Sequence, residues 1–293
     1  MKKLEGKIAL VAGATRGAGR GIATELGAAG ATVYCSGRSS SGKPSDLNRI
    51  ETIEETAALV SSLGGIGIAV RTDHSVESEV QALCDRINLE QGRLDILVND
   101  IWGGEKLVQW GQKFWELELT QAFKLIERSI YTHLITSKYA TPLLIKTGNA
   151  LLLEISDGEY GYYRGNLIYD FIKNAINRLA RACAFELRDL GVTVCAITPG
   201  FLRSEEMLEH MNVTADTWQN AEDKTFATQS ESPRFIGRGI AALACDETRA
   251  RFNGMVLSSW VLMREYGFED VDGRKPDWGV FWDATHRKDY PEL

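Results

Sequence analysis

The chain has 293 residues, 44% hydrophobic and 25% charged, a balance that suits one large α/β domain or two small ones. Its formal net charge of −7 argues against sequence-independent binding of nucleic acid, which needs a basic surface. Five scattered cysteines, four histidines without ligand spacing, and no signal-like or bilayer-length apolar run lead to an expectation of reduced thiols in a cytoplasmic protein, with no metal and no membrane partner.

Strands and helices alternate from the start. Ile8–Ala12 reads as a first strand, followed by a helix through Ile22, Leu26 and Ala29, and Ala31–Cys35 as a second strand. A Ser/Gly/Pro-rich loop, Ser39 to Asp46, precedes a helix opened by a Thr52/Glu55 capping box. Ile66–Val70 is a third strand. A helix carries Val76, Val80, Leu83 and Ile87, and Leu94–Val98 is a fourth strand. A long helical region to about Lys146 leads to a fifth strand, Ala150–Ile155. A helix around Ala175 to Leu190 leads to a sixth, Val192–Ile197. Ser232-Pro233 reads as cap and first position of another helix, and Gly254–Ser258 as a seventh strand. Apolar strands without strict alternation, joined by helices, predict a single Rossmann-type, doubly wound domain of about seven parallel strands over residues 1–263. Residues 264–293 read as an irregular C-terminal arm packed on the same domain through Trp278, Phe281 and Trp282.

The first strand runs into Gly13-Ala14-Thr15-Arg16-Gly17-Ala18-Gly19. Glycines there permit a tight turn and let the backbone approach a pyrophosphate, at which the next helix points its N–H groups. At this G-x-x-x-G-x-G spacing the chain resembles the short-chain dehydrogenase/reductase family, over roughly Gly6 to Gly254. The resemblance implies a nicotinamide cofactor held by Gly13, Thr15, Arg16, Gly17, Ala18 and Gly19, with Asp73 near the adenine and Asn99 after the fourth strand. Arg38 stands where NAD-preferring members carry an acidic residue. A guanidinium there can bind a 2′-phosphate, so NADP(H) is expected to be preferred, with NAD(H) still possible. Asn99-Asp100-Ile101-Trp102 departs from the family's Asn-Asn-Ala-Gly after its first residue.

The most specific match is Ser156 followed by Tyr169 and Lys173, the last two sharing a helix face at i and i+4. The resemblance implies that Tyr169 moves a proton to or from the substrate oxygen and that Ser156 polarises the carbonyl. Lys173 then holds the nicotinamide ribose and lowers the phenol's pKa from about 10 towards neutrality. Asp157 adds negative charge beside this set. The family's relay asparagine, counted back from Pro142, falls on Ser129; Ser129 or His133 one turn later can stand in for it. Pro199, Gly200 and Ser204 match the segment that bonds the carboxamide, and Glu205 to about Ser230 matches the mobile substrate loop.

Trp102, Trp110, Phe114, Trp115, Tyr160, Tyr162 and Tyr163 suggest an apolar or aromatic substrate; ordinary packing of aromatics is an equal competitor. Three readings follow: an NADP(H)-dependent oxidoreductase interconverting carbonyl and alcohol, an epimerase or eliminating enzyme on the same scaffold, and a nucleotide-binding regulatory protein with little turnover. The family resemblance also implies a homodimer or homotetramer.

Overall fold

The computed structural model describes residues 2–44, 48–159 and 162–289, so Asp46, Tyr160 and the end of the arm at 290–293 lie outside the described residues. Seven strands form one parallel sheet: β1 (Ile8–Ala12), β2 (Thr32–Gly37), β3 (Ile66–Arg71), β4 (Ile96–Asn99), β5 (Ala150–Ile155), β6 (Val192–Thr198) and β7 (Val256–Ser258). Their order is β3-β2-β1-β4-β5-β6-β7. Between β1 and β4 the chain switches from winding one way to winding the other, and a crevice must open there at the strands' C-terminal ends. Registry aligns those ends, with Ala12 beside Asn99 and Asn99 beside Glu154.

Helices cover both faces, which explains why the central strands carry no alternation. One face packs Ala9, Val11, Val98, Leu153 and Ile197 with Ile22 and Leu26 of α1 (Gly17–Ala28) and with Ile236 and Ile240 of α9 (Pro233–Cys245). The other packs Leu10, Leu97, Leu152 and Val194 with α3 (Glu77–Gln91), α5 (Thr132–Thr147) and α6 (Leu167–Leu187). The capping box is present on α2 (Ile53–Ser62), Thr52 and Glu55 each serving the other's backbone N–H.

Three segments differ from the sequence expectation. The long helix after β4 is broken: residues 100–118 form a loop with one 3₁₀ turn, then come α4 (Leu119–Ile126), a π turn (Glu127–Tyr131) and α5. The helix expected from Ala175 starts at Leu167, because the side chain of Asn166 accepts the N–H groups of Ile168 and Tyr169, both at 3.1 Å. That cap brings both Tyr169 and Lys173 onto α6. Pro233 opens α9 as expected, but the Ser232 hydroxyl is committed to Asp270 instead of the helix.

After α7 (Glu205–His210) and α8 (Lys224–Gln229), the chain ends in α10 (Ser259–Tyr266) and α11 (Trp278–His286). The expected boundary at residue 264 thus falls inside α10, and the arm carries a helix of its own. Trp278 meets Phe201 at 5.5 Å between ring centroids, and Trp282 stacks on Tyr162 at 4.3 Å. Arg203 is buried and binds Asp270 and Asp272 at 3.0 and 2.9 Å. No helix among the described residues is long and apolar enough to cross a membrane.

Candidate active site

A cavity of about 360 Å³ opens at the switch point, and its wall begins with the glycine loop. At Gly13 (φ +91°) a Cβ would lie 2.2 Å from the Asp100 carbonyl oxygen. At Gly19 it would lie 2.3 Å from Gly13 O and 2.9 Å from Asp100 Oδ2. Neither position admits a side chain, so the loop stays bare; the Gly13 and Ala14 N–H groups anchor it to the Ser36 carbonyl at 2.9 Å each. Gly13, Thr15, Arg16, Gly17 and Ala18 line it; Gly19 stands behind them as the close contact between loop and Asp100. A dinucleotide's pyrophosphate fits this arrangement of bare backbone at a helix N-terminus.

A carboxylate already uses part of that cradle. The Gly17 N–H donates to Glu205 Oε2 at 2.8 Å, and Arg16 pairs with Glu105 at 2.9 Å. Towards the adenine end, Arg38 and Arg128 flank Gly103: a Cβ there would sit 2.9 Å from Arg38 Nη2, and Arg128 donates to its carbonyl at 3.1 Å. Burial pushes the Asp73 carboxyl up, but hydrogen bonds from Ser75 and the charge of Arg38 outweigh it and hold the group below its usual range. Pro199, Gly200 and Ser204 line the opposite wall, and Ser204 Oγ caps α7 by accepting from Met207 N at 3.3 Å.

Ser156, Tyr169 and Lys173 meet on the cavity floor. Tyr169 and Lys173 are enclosed by protein on most sides yet still reached by solvent. The Tyr169 phenol donates to Asp157 Oδ2 at 2.9 Å. Its ring lies against Trp110 and Trp102 at centroid distances of 5.1 and 5.7 Å. Lys173 Nζ sits 4.3 Å from the Trp102 ring centre and 5.4 Å from that of Tyr169. Ser156 Oγ donates to the Lys173 backbone carbonyl at 2.8 Å, which fixes β5 to α6 at this point.

These contacts correct one expectation. Burial, followed by the adjacent Asp157 charge, holds the Tyr169 pKa well above 10 instead of drawing it towards neutrality. Burial also lowers the pKa of Lys173, against the opposing pull of Asp157 and Asp100.

Asn99 does not face the cavity. It is fully buried and donates to Ser137 Oγ and Glu154 Oε1, at 2.9 and 3.0 Å. Glu154 is likewise fully buried; its Oε1 also accepts from Ser137 at 3.0 Å, and its Oε2 meets His133 Nδ1 at 2.6 Å. His133 Nε2 lies 3.1 Å from the Ile101 carbonyl, which can only accept, so this nitrogen carries a proton. Ser129 is buried in the π turn and bonds back to the Leu125 carbonyl. Both stand-ins for the relay asparagine are therefore committed elsewhere.

The family profile described as Enoyl-(Acyl carrier protein) reductase matches residues 13–257, spanning the glycine loop, the Ser156/Tyr169/Lys173 set, strands β2 to β6 and β7 short of its last residue. The chain is a short-chain dehydrogenase/reductase. Dehydrogenase/reductase SDR family member 1 of Mus musculus is 35% identical over 280 residues, covering 92% of this chain and 85% of that protein. The 7alpha-hydroxysteroid dehydrogenase of Escherichia coli (strain K12) is 26% identical over 257 residues, 87% of this chain and 93% of that one. Among solved structures, 7 alpha-hydroxysteroid dehydrogenase complexed with NADH and 7-oxo glycochenodeoxycholic acid superposes with TM-score 0.70 at 26% identity, covering 87% and 93% of the two chains.

Within this dehydrogenase/reductase, sequence reasoning missed several cavity residues: Glu105, Arg128, Thr132, Glu205 and Glu206. Glu205 was grouped only with the substrate loop. Nothing local marks it as the partner of Gly17, 188 positions away. Asp100 stood out only as a departure from the family pattern. Burial pushes its carboxyl up to about 7 despite Lys173 and the Gly19 N–H, which pull the other way.

Proposed function

We propose that this short-chain dehydrogenase/reductase interconverts a secondary alcohol and its carbonyl on an apolar, flat-ringed substrate, with NADP(H) preferred over NAD(H). The observation that carries this reading is the convergence of Ser156, Tyr169 and Lys173 with the bare glycine loop on one cavity. When bound, the nicotinamide supplies or takes the hydride. Tyr169 gives a proton to the substrate oxygen in reduction and removes one in oxidation. Lys173, held under Trp102, presents its ammonium to the ribose side of the cleft, and the Ser156 hydroxyl can turn from the Lys173 carbonyl to polarise the substrate oxygen. Arg38 and Arg128 around Gly103 support recognition of a 2′-phosphate. Trp102 and Trp110 provide flat apolar walls beside Tyr169, in keeping with the hydroxysteroid named for one relative.

A second reading keeps a specific observation. Asp157 on the Tyr169 phenol, with the phenol's pKa held well above 10, suits a nucleotide-binding protein with little turnover. Turnover separates the two. NADPH oxidation against a panel of aryl ketones and oxosteroids should be measurable, and Tyr169→Phe should abolish it while NADPH binding persists. Binding without any turnover would favour the second reading.

Self-association is part of the proposal. α6 and the start of α5 leave Leu134, Phe171 and Phe185 exposed, with Tyr131 beside them, and light scattering should give at least a dimer mass. The five cysteines are unpaired, which accords with a reducing compartment.

A further inference from the structure

Asp157 follows Ser156 directly, and its surroundings fix it against Tyr169. The turn that carries it is pinned from two sides: the Gly158 N–H donates to Thr198 Oγ1 at 2.8 Å, and Asn177 Nδ2 of α6 donates to the Gly158 carbonyl at 3.2 Å. Gly158 has φ +89°, and a Cβ there would fall 1.0 Å from Arg164 Nη2. The turn is therefore open at Gly158 so that the guanidinium can lie across it. Arg164 Nε donates to the Asp157 carbonyl at 3.2 Å and stands 3.6 Å from Asp157 Oδ1. The guanidinium in turn lies 3.8 Å over the Tyr162 ring. One carboxylate oxygen is thus turned towards Arg164, and the other accepts from the Tyr169 phenol. The Asp157 side chain is 37% exposed, so the phenol is one carboxylate away from solvent.

We propose that Asp157 is the group with which Tyr169 exchanges its proton, taking the place of the helix asparagine relay. The inference rests on Tyr169 acting as the acid and base of the reaction. In alcohol oxidation the substrate hydroxyl proton passes to the Tyr169 oxygen as the Tyr169 proton passes to Asp157 Oδ2. The carbinol C–H bond breaks with its electron pair leaving as hydride to the oxidised nicotinamide, and the C=O bond forms. Asp157, now neutral, releases its proton to water across its exposed face. Reduction runs the same transfers backwards, with a proton from water entering through Asp157. The step needs no ionised tyrosine at rest, and a phenol whose pKa is raised by burial and by Asp157 can still serve. The charged and titratable groups around the pair are Arg164 and Tyr162 on the loop before α6, Lys173 on α6, and Asp100 and Glu105 on the loop after β4.

The test uses the full chain, NADP⁺, and 1-tetralol as a secondary aryl alcohol, with wild type, Asp157→Asn, Asp157→Ala and Tyr169→Phe. Cofactor binding and a thermal melt on each variant check that it folds. If Asp157 exchanges the proton, Asp157→Asn lowers kcat for oxidation about a hundredfold at neutral pH with little change in KM, the usual size of a general-base contribution. Formate or acetate added to Asp157→Ala then restores part of the rate. A purely electrostatic Asp157 gives the opposite result: removing its charge lowers the Tyr169 pKa, so Asp157→Asn is faster than wild type at neutral pH with its profile moved to lower pH. That result, or a profile superimposable on wild type, overturns the proposal. Retained activity in Tyr169→Phe would instead overturn the reading beneath it.

Discussion

Replacing Glu154 by leucine tests a fully buried polar network beneath the site. The carboxylate is fully buried and accepts from Asn99 and Ser137 at 3.0 Å each and meets His133 at 2.6 Å. Leucine keeps much of the volume but leaves three polar groups, Asn99, Ser137 and His133, facing hydrocarbon. Breaking a buried pair by removing one partner costs about 3–5 kcal/mol. Hydrogen bonds to charged groups, at about 1.5–3 kcal/mol each, give a sum of similar size or larger, so the upper half of that range is expected. Urea unfolding at neutral pH should show the loss as a lower midpoint with an unchanged slope. His133→Leu in the same background should recover part of it, because the two residues then leave together. A coupling between the two sites of about 1–3 kcal/mol is expected for residues in one network. If Glu154→Leu costs less than about 1 kcal/mol, or the two substitutions add strictly, the carboxylate is not holding these donors. The same variant should lower kcat, since His133 then loses its hold on the Ile101 carbonyl and with it the placement of Trp102.

Three further outcomes are expected. Arg38→Asp should weaken NADPH binding at least tenfold more than NADH binding in calorimetric titrations at fixed salt, matching about 1.5–3 kcal/mol for a lost charge-assisted contact; equal losses would remove Arg38 as the reader of the 2′-phosphate. Glu205→Gln should tighten NADPH binding about tenfold, because the carboxylate and the pyrophosphate compete for the Gly17 N–H; weaker binding would mean that Glu205 supports the loop instead. Glu231 is buried, accepts from Ser259 at 2.6 Å, and burial pushes its carboxyl from 4.5 up to about 8. The native state then keeps a proton that the unfolded chain has released, so stability is lost as pH rises from about 4.5 through 8, by about 1.4 kcal/mol per unit. Glu231→Gln should escape this loss and gain on wild type as pH rises, and a constant gap in urea titrations across that window would show that Glu231 is ionised in the fold.

The sheet was legible because its strands are short apolar runs, with β1, β2 and β6 closed by glycine or proline, and the connections between them are long enough for helices. Ser156, Tyr169 and Lys173 were legible because their spacing survives translation into geometry: one strand end and one helix face. What could not be read has a common physical form. Glu205 meets Gly17, Arg203 meets Asp270, and Tyr162 meets Trp282 across separations that no local pattern encodes. Glu154 reads as one polar residue in a strand, and only the packing of α5 and β4 against β5 reveals three polar partners converging on it. The start of α6 was missed by eight residues because Asn166 caps it through its side chain after a stretch rich in glycine and tyrosine.

The stack of Trp282 on Tyr162 has a consequence for the order in which the molecule matures. The glycine loop, both arginines near Gly103 and six of the seven strands come from the first two hundred residues, and that portion emerges first during synthesis. Tyr162, over which Arg164 lies, gains its stacking partner only when residues 278–286 have folded back. A chain ending near Gly267 would lack both the ring that stacks on Tyr162 and the Asp270 and Asp272 carboxylates that hold Arg203, so the last segment fastens the loops before α6 and after β6 only once synthesis is nearly complete.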